Sequence, residues 1–398
     1  MTKIKMNKRL VLAACFLTVF VAYAVRYGYG IILPEMLDSL GISKTDAGII
    51  FSSFLIAYTL VSPVCGFISD RYGSRWLLAT FVAAMGIGAL LMSHVSSILE
   101  ASLSFGLAGI GAAACWAPVI ALAQKWTSRE RRGMTLSFID IGSALSIVAM
   151  AAFVPFIIRQ YDWQTGWMLL GAVTMVIGIF NFIVIKNPPE NLAPEPDNIR
   201  PAGKRGGIPL AALLHSYKFW LLGLGYLFTG VAITVPFTFL STYAVQEFSL
   251  SYVFAANIMT VLGVGAIASK LTLGPLSDRT GRLRMMLICG MFIGLGTLAM
   301  AFHNLITLFI AAFIFSLGYG AVWAMYAAAA ADYFDKEASG TIVGIWTVFL
   351  GIGLALAPII SGWLADRTGT LAWSFVLGGA GGLASVALLI PLWKQGTR

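Results

Sequence analysis

Gly66-Phe-Ile-Ser-Asp70-Arg71-Tyr-Gly73 and Gly274-Pro-Leu-Ser-Asp278-Arg279-Thr-Gly281 are two spellings of one octapeptide, set 208 residues apart. Each follows an apolar stretch long enough to cross a bilayer, for which about 20 residues suffice. In each, glycine permits a tight reversal and close helix approach. The aspartate can accept hydrogen bonds from a neighbouring helix N-terminus, and the arginine suits a face beside anionic lipid. One copy would say little. Two copies, after the second and the eighth apolar stretch, describe a chain built as two related halves.

Twelve such stretches run through the 398 residues, near 10–34, 46–68, 76–94, 98–123, 133–157, 166–186, 217–243, 251–276, 284–303, 306–331, 340–363 and 371–393. The chain is 59% hydrophobic and 11% charged, with a mean hydropathy of +0.87. A soluble domain carries roughly 25% charged residues. The expected fold is an all-α membrane protein of twelve transmembrane helices in two pseudo-symmetric six-helix bundles. The Lys-rich start and Leu10–Cys15 have a signal-peptide flavour, but the apolar run continues past them and reads as an uncleaved first helix.

The net charge of +9 is explained by topology. Of the 26 Lys and Arg, 21 fall in segments on the N-terminal side of the membrane or at the span ends that meet them. Three (Lys44, Arg159, Arg367) lie in the opposite loops, and two, Arg26 and Lys270, lie within spans. By the positive-inside rule this puts both termini in the cytoplasm. The expectation is a multi-pass inner-membrane protein whose partner is the lipid bilayer, not nucleic acid. From Lys186 the sequence turns polar and Pro-rich, as a cytoplasmic linker does. It divides the chain into an N-terminal bundle, 1–187, a linker, 188–216, and a C-terminal bundle, 217–398.

Cys15, Cys65, Cys115 and Cys289 fall inside spans without metal-ligand or disulfide spacing. No nucleophile stands with its base and no metal cluster is spelled out, so no enzyme, cofactor or metal is expected. An ionisable side chain near mid-bilayer costs about 2.5–3.5 kcal/mol on insertion scales and marks function by default. Three qualify: Arg26, Asp140 and Lys270. Arg26 stands in Ala-Val-Arg26-Tyr27-Gly28-Tyr29-Gly30. A guanidinium there can clamp a carboxylate or phosphate through its planar fork, with the flanking glycines leaving room. The alternative is a structural pair with a buried acid or helix-end carbonyls. Aromatics add Tyr27, Tyr29, Trp116, Tyr226, Tyr319, Trp323 and Tyr326. The last three share one helix face by their spacing of four and three. With a buried arginine they suggest an apolar box around a small organic anion, their polar tips able to donate hydrogen bonds.

The paired octapeptide resembles the signature of the major facilitator superfamily between helices 2–3 and 8–9, and the similarity covers essentially the whole chain. The resemblance implies two bundles rocking about a midplane site lined by helices 1, 4, 7 and 10, with Asp70, Arg71, Asp278 and Arg279 in gating or coupling roles. A third look-alike, Gly362-Trp-Leu-Ala-Asp366-Arg367-Thr-Gly369, has no counterpart in the first half and reads as coincidence. Phe105 stands where proton-coupled members commonly carry an arginine. Ile139–Phe153 lacks the Gly-Pro-x-x-Gly-Gly of drug antiporters. Within the superfamily the chain most resembles the oxalate–formate antiporter and monocarboxylate porter group. Ala108-Gly109-Ile-Gly111 with Trp116 and Trp126 matches that group's helix 4, Tyr319 and Trp323 its helix-10 aromatics, and Lys270 its helix-8 cation. The second cation expected in helix 11 is missing near Leu350, with Arg26 in helix 1 standing in for it.

The function this implies is a secondary active transporter moving a small organic anion, a carboxylate first of all, across the inner membrane by alternating access. Protons or a counter-anion would be its coupling partner. Substrate contacts are expected from Arg26, Tyr27, Tyr29, Trp116, Lys270, Tyr319 and Trp323. Helices 5 and 8 lie side by side in the superfamily fold. Asp140 and Lys270 sit about 10 and 12 Å in from the cytoplasmic ends of those helices at 1.5 Å per residue, so they are expected to pair as a gate. The competing readings are a carrier of phosphorylated or inorganic anions and a transport-like membrane sensor.

Overall fold

A computed structural model describes residues 2–128, 131–186, 213–334 and 339–396, without the side chains of 2–7, 67, 70–72, 339–340 and 394–396. Its helices are α1 Thr2–Leu40, α2 Lys44–Tyr72, α3 Ser74–Met92, α4 Ile98–Ala112, α5 Ala117–Lys125, α6 Arg132–Gln160, α7 Trp163–Val184, α8 Tyr217–Gln246, α9 Tyr252–Thr280, α10 Arg282–Met300, α11 Leu305–Tyr333, α12 Ser339–Thr368 and α13 Ala372–Gly396. Helices α4 and α5 share one span, Ile98–Lys125, so the described residues hold twelve stretches long and apolar enough to cross a bilayer. The protein is an all-α, multi-span membrane protein. The expected spans and the helices agree to within a few residues at most ends. The main excess is at α1, which continues through Pro34 to Leu40. Most of 188–216, read as the linker, lies outside the described residues, as do the side chains of Asp70 and Arg71.

The octapeptide is a helix stop. Gly73 and Gly281 adopt φ of 84° and 93°, a region open to glycine but strained for a residue with a Cβ. Each donates its N–H to the carbonyl four residues back, Ser69 and Ser277, at 3.1 Å, closing the last turn before the chain reverses into α3 or α10. A Cβ at Gly66 or Gly274 would meet nothing within 4 Å, so the leading glycines serve no close approach. The third copy ends in the same way: Gly369 has φ 76° and donates to Ala365 at 2.9 Å.

The chain divides into two compact units, Met1–Met36 with Ser53–Pro201, and Leu37–Ser52 with Ala202–Arg398. In the first, α3 packs against α4 and α7, and α5 against α6. In the second, α8 packs against α12 and α13, and α11 against α9 and α10. Leu60, Phe153, Val176 and Ile306 stand 63–72% exposed. Such apolar faces invite aggregation in water and suit hydrocarbon. One polar chain links helices inside the first unit: Asn181 Nδ2 donates to Thr18 Oγ1 at 2.8 Å, and Thr18 donates to the Ala14 carbonyl at 2.7 Å. Hydroxyl and amide pairs of this kind fasten helices where water is absent.

Candidate functional site

The first unit holds a small, half-open cavity of about 20 Å³, walled by Ala22, Tyr23 and Arg26 of α1, Phe54 and Tyr58 of α2, Ala112 at the end of α4, and Cys115 and Trp116 of the turn after it. Tyr23 and Arg26 are three residues apart and share one face of α1. The turn interrupts the fourth span just ahead of Pro118. Pro118 at the start of α5 has no N–H to give, and its ring clashes with the carbonyl four residues back. Trp116 accordingly takes φ −116°, ψ −78° as the cap of α5, and Cys115 N–H bonds back to Ala112 at 2.9 Å. Irregular backbone at membrane depth is tolerated where it is buried in protein or lines a cavity, and this turn supplies part of the cavity wall.

Arg26 is 9% exposed, and its guanidinium carbon lies 5.5 Å from the Tyr27 ring centroid. Tyr23 meets Trp116 edge-on at 6.3 Å and Tyr27 at 5.6 Å. The arrangement is one fixed positive charge in an aromatic wall, suited to an anion with an apolar body. Tyr27 and Tyr29 are not among the lining residues. Tyr29 stacks on Phe105 at 4.9 Å, and Phe105 continues to Phe54 at 4.8 Å and Trp167 at 5.6 Å. The room expected at Gly28 is filled: a Cβ there would meet Met150 and Leu170.

The second unit carries its own aromatic ladder. Tyr226 of α8 stacks on Tyr326 at 4.1 Å and meets Trp323 at 6.0 Å; Tyr319 meets Trp323 at 6.0 Å and Phe237 at 4.8 Å. Trp323 is half-buried, whereas Tyr319 and Tyr326 are buried. The Tyr326 hydroxyl lies 3.2 Å from Thr229 Oγ1 and 3.3 Å from Ser385 Oγ, which are 2.9 Å from each other. Its polar tip is therefore engaged inside the bundle. Lys270 is half-buried on α9 of this unit. Asp140 is half-buried on α6 of the first, with Ser143 Oγ donating to its main-chain carbonyl at 2.7 Å. Asp278 pairs with Arg282 at 3.6 Å, and Arg282 with Asp332 of α11 at 3.5 Å. Arg279 is exposed beside them.

Of the residues singled out in the sequence, Arg26 and Trp116 meet at one cavity, and Tyr319 and Trp323 meet in one ladder. Sequence reasoning missed Tyr23, Phe54, Tyr58 and Cys115. Tyr23 carried a signal, standing one turn before Arg26 on the same face. Tyr58 carried none, since only the packing of α2 brings it there. Among the described residues no three His, Cys, Asp or Glu side chains gather as a metal site would require.

A family model described as Major Facilitator Superfamily matches residues 15–257 and 222–396. The chain belongs to the major facilitator superfamily. Members of that superfamily are transporters, not enzymes. Monocarboxylate transporter 12-B of Danio rerio is 25% identical, over 96% of this chain and 86% of that protein. The membrane sensor protein UhpC of Escherichia coli (strain K12) is 26% identical, over 96% of this chain and 92% of the sensor. Among solved structures, a point mutant of the nucleoside transporter NupG superposes with a TM-score of 0.81 at 12% identity, over 96% of this chain and 99% of NupG. That likeness concerns the fold alone.

Proposed function

We propose that this major facilitator protein is a secondary active carrier of a small organic anion, a carboxylate, working by alternating access across the inner membrane with both termini cytoplasmic. The observation that carries the reading is Arg26, 9% exposed in the wall of a cavity it shares with the aromatic rings of Tyr23, Phe54, Tyr58 and Trp116. A cation held at membrane depth costs free energy that binding an anion offsets. The guanidinium fork suits a carboxylate, and the aromatic wall suits an organic body over a bare inorganic ion. Trp323, Tyr319 and Lys270 complete the substrate contacts in this reading. The Asp140–Lys270 pair and the two octapeptide loops, with Asp70, Arg71, Asp278 and Arg279, act in gating, and protons or a counter-anion drive transport. The similarity to a monocarboxylate transporter supports the substrate class. The similarity to a membrane sensor supports a second reading, in which the same cavity reports an anion without moving it.

Purified protein screened by thermal shift against carboxylates, phosphates and cations should respond to carboxylates. A ligand at 100 times its Kd adds about 2.7 kcal/mol of stability. In liposomes the responding anion should be taken up. Arg26→Gln should lower uptake about a hundredfold, as the loss of a buried charge-assisted contact implies, and Arg26→Lys should rescue poorly. A thermal response without uptake selects the sensor. Undiminished uptake by Arg26→Gln removes the clamp.

A further inference from the structure

The two octapeptide stops part company directly after their final glycines. Ser74-Arg75-Trp76 follows Gly73, and Arg282-Leu283-Arg284 follows Gly281. In the second half the cation beside the stop is flanked by acids, Arg282 lying 3.6 Å from Asp278 and 3.5 Å from Asp332. In the first half Arg75, half-buried at the start of α3, is held by groups that leave its charge intact. Its Nε donates to the Phe182 carbonyl at 2.7 Å, and its guanidinium carbon lies 4.5 Å from the centre of the Phe182 ring. A main-chain carbonyl and a ring face orient a guanidinium without neutralising it. The two terminal amino groups keep the fork geometry that suits a phosphate. Two contacts to one residue also fix the side chain in advance, so little rotamer entropy is left to lose on binding.

The surroundings suit a lipid better than a soluble anion. Trp76 meets the same Phe182 ring edge-on at 4.8 Å and is 60% exposed. From beside Phe182 an apolar column runs along α7 into the membrane. Its members, Ile183, Ile179 and Val176, are 58–64% exposed, and their spacing of four and three puts them on one helix face. One turn beyond Phe182 in the other direction, past the end of α7, Lys186 is exposed. Cations at the membrane surface, an indole at the depth where tryptophan settles in bilayers and an apolar column below follow the order of a phospholipid. Phosphate comes first, then the glycerol esters, then the acyl chains. The positive-inside rule explains why cations gather on this face. It does not ask that one be docked against an exposed aromatic pair. All of these residues belong to the first compact unit.

We infer that Arg75 and Lys186 form a binding site for the phosphate of an anionic phospholipid, with Trp76 at its ester groups and its acyl chains along Ile183, Ile179 and Val176. In the orientation proposed above the leaflet is the cytoplasmic one, whose surface is anionic. The binding itself does not depend on that orientation, nor on what the carrier transports.

The full chain in detergent is titrated with dioleoylphosphatidylglycerol or with dioleoylphosphatidylcholine, and retained lipid is counted by native mass spectrometry. The wild type should hold phosphatidylglycerol about tenfold more tightly, as two cations beside one phosphate imply. Arg75→Gln should abolish that preference, and Lys186→Gln should lower it about threefold. Arg159→Gln, in the last turn of α6 at the opposite face, should leave it unchanged. If Arg75→Gln fails to fold, Trp76→Ala should weaken phosphatidylglycerol about threefold at an unchanged melting temperature. Excess inorganic phosphate should leave the lipid in place; its displacement would assign a site for free phosphate and overturn the proposal. Equal retention of the two lipids by the wild type would overturn it as well. So would undiminished phosphatidylglycerol binding by Arg75→Gln or Trp76→Ala, which would leave Arg75 as a cation that serves topology alone.

Discussion

The fourth and tenth spans each put a tryptophan into the body of a six-helix half, and they do so by different means. Trp116 sits in a break, at the cap of α5 and just past the end of α4, so its position is set by the backbone turn just ahead of Pro118. Trp323 sits in α11, helical over 29 residues, and is held by the rings of Tyr226 and Tyr319. In one half the main chain shapes the wall; in the other, side-chain stacking does. The first should be sensitive to whatever repairs the helix and the second to ring area, and each half should be tolerant of the other's perturbation.

The largest effect should come from Pro118→Ala. Without the ring, Ala113–Trp116 can rewind, since proline costs about 3 kcal/mol relative to alanine inside a helix. Uptake of the responding anion should drop at least tenfold while the melting temperature holds or rises. Normal uptake would mean that packing, not Pro118, keeps the break. Next, Trp323→Ala should raise KM about tenfold, whereas Trp323→Phe should stay within about threefold, because stacking area is what the ladder supplies. An equal loss in both would point to the indole N–H instead. A smaller effect is expected from the Asp140 and Lys270 pair. Asp140→Asn and Lys270→Gln should each impair uptake, and the double variant should be less damaged than the two losses combined, by about 0.5 kcal/mol or more for coupled neighbours. Strict additivity would separate the two residues. Smallest of all for transport, Ser385→Ala should cost about 1 kcal/mol of stability for its hydrogen bonds and leave KM nearly unchanged, because it acts on the Tyr326 tip rather than on the ladder's face.

The spans were legible because lipid imposes one rule, a run of apolar residues long enough to cross, and sequences such as Trp163–Val184 obey it without ambiguity. The stops at Gly73 and Gly281 were legible because a reversal between two spans needs a residue at ease with positive φ. The buried arginine was legible because charge is so rare there. What stayed hidden depended on neighbours. Phe54 and Tyr58 become cavity residues only through the approach of α2. Gly28 looked like open room until Met150 and Leu170 filled it. Asp366 looked accidental because its partner, the start of α2, lies 321–322 residues away in sequence. The break at Ala113–Trp116 was written in Pro118 but masked by unbroken hydrophobicity across Ile98–Lys125.

That break has a consequence for how the protein is made. Helix α4 has 15 residues and α5 has 9, about 22 and 14 Å of helix at 1.5 Å per residue. A bilayer core is about 30 Å thick, so neither piece can cross it alone. The two must enter together during synthesis, although the peptide groups between them are not fully paired by helix. Those groups lie beside α1 and α2 at the cavity and next to α3, on which α4 and α5 pack, all of which the ribosome has already delivered. The fourth crossing is therefore the point at which membrane insertion must wait for tertiary assembly, and a nascent chain stalled after Ala112 should be the form that quality-control proteases find first.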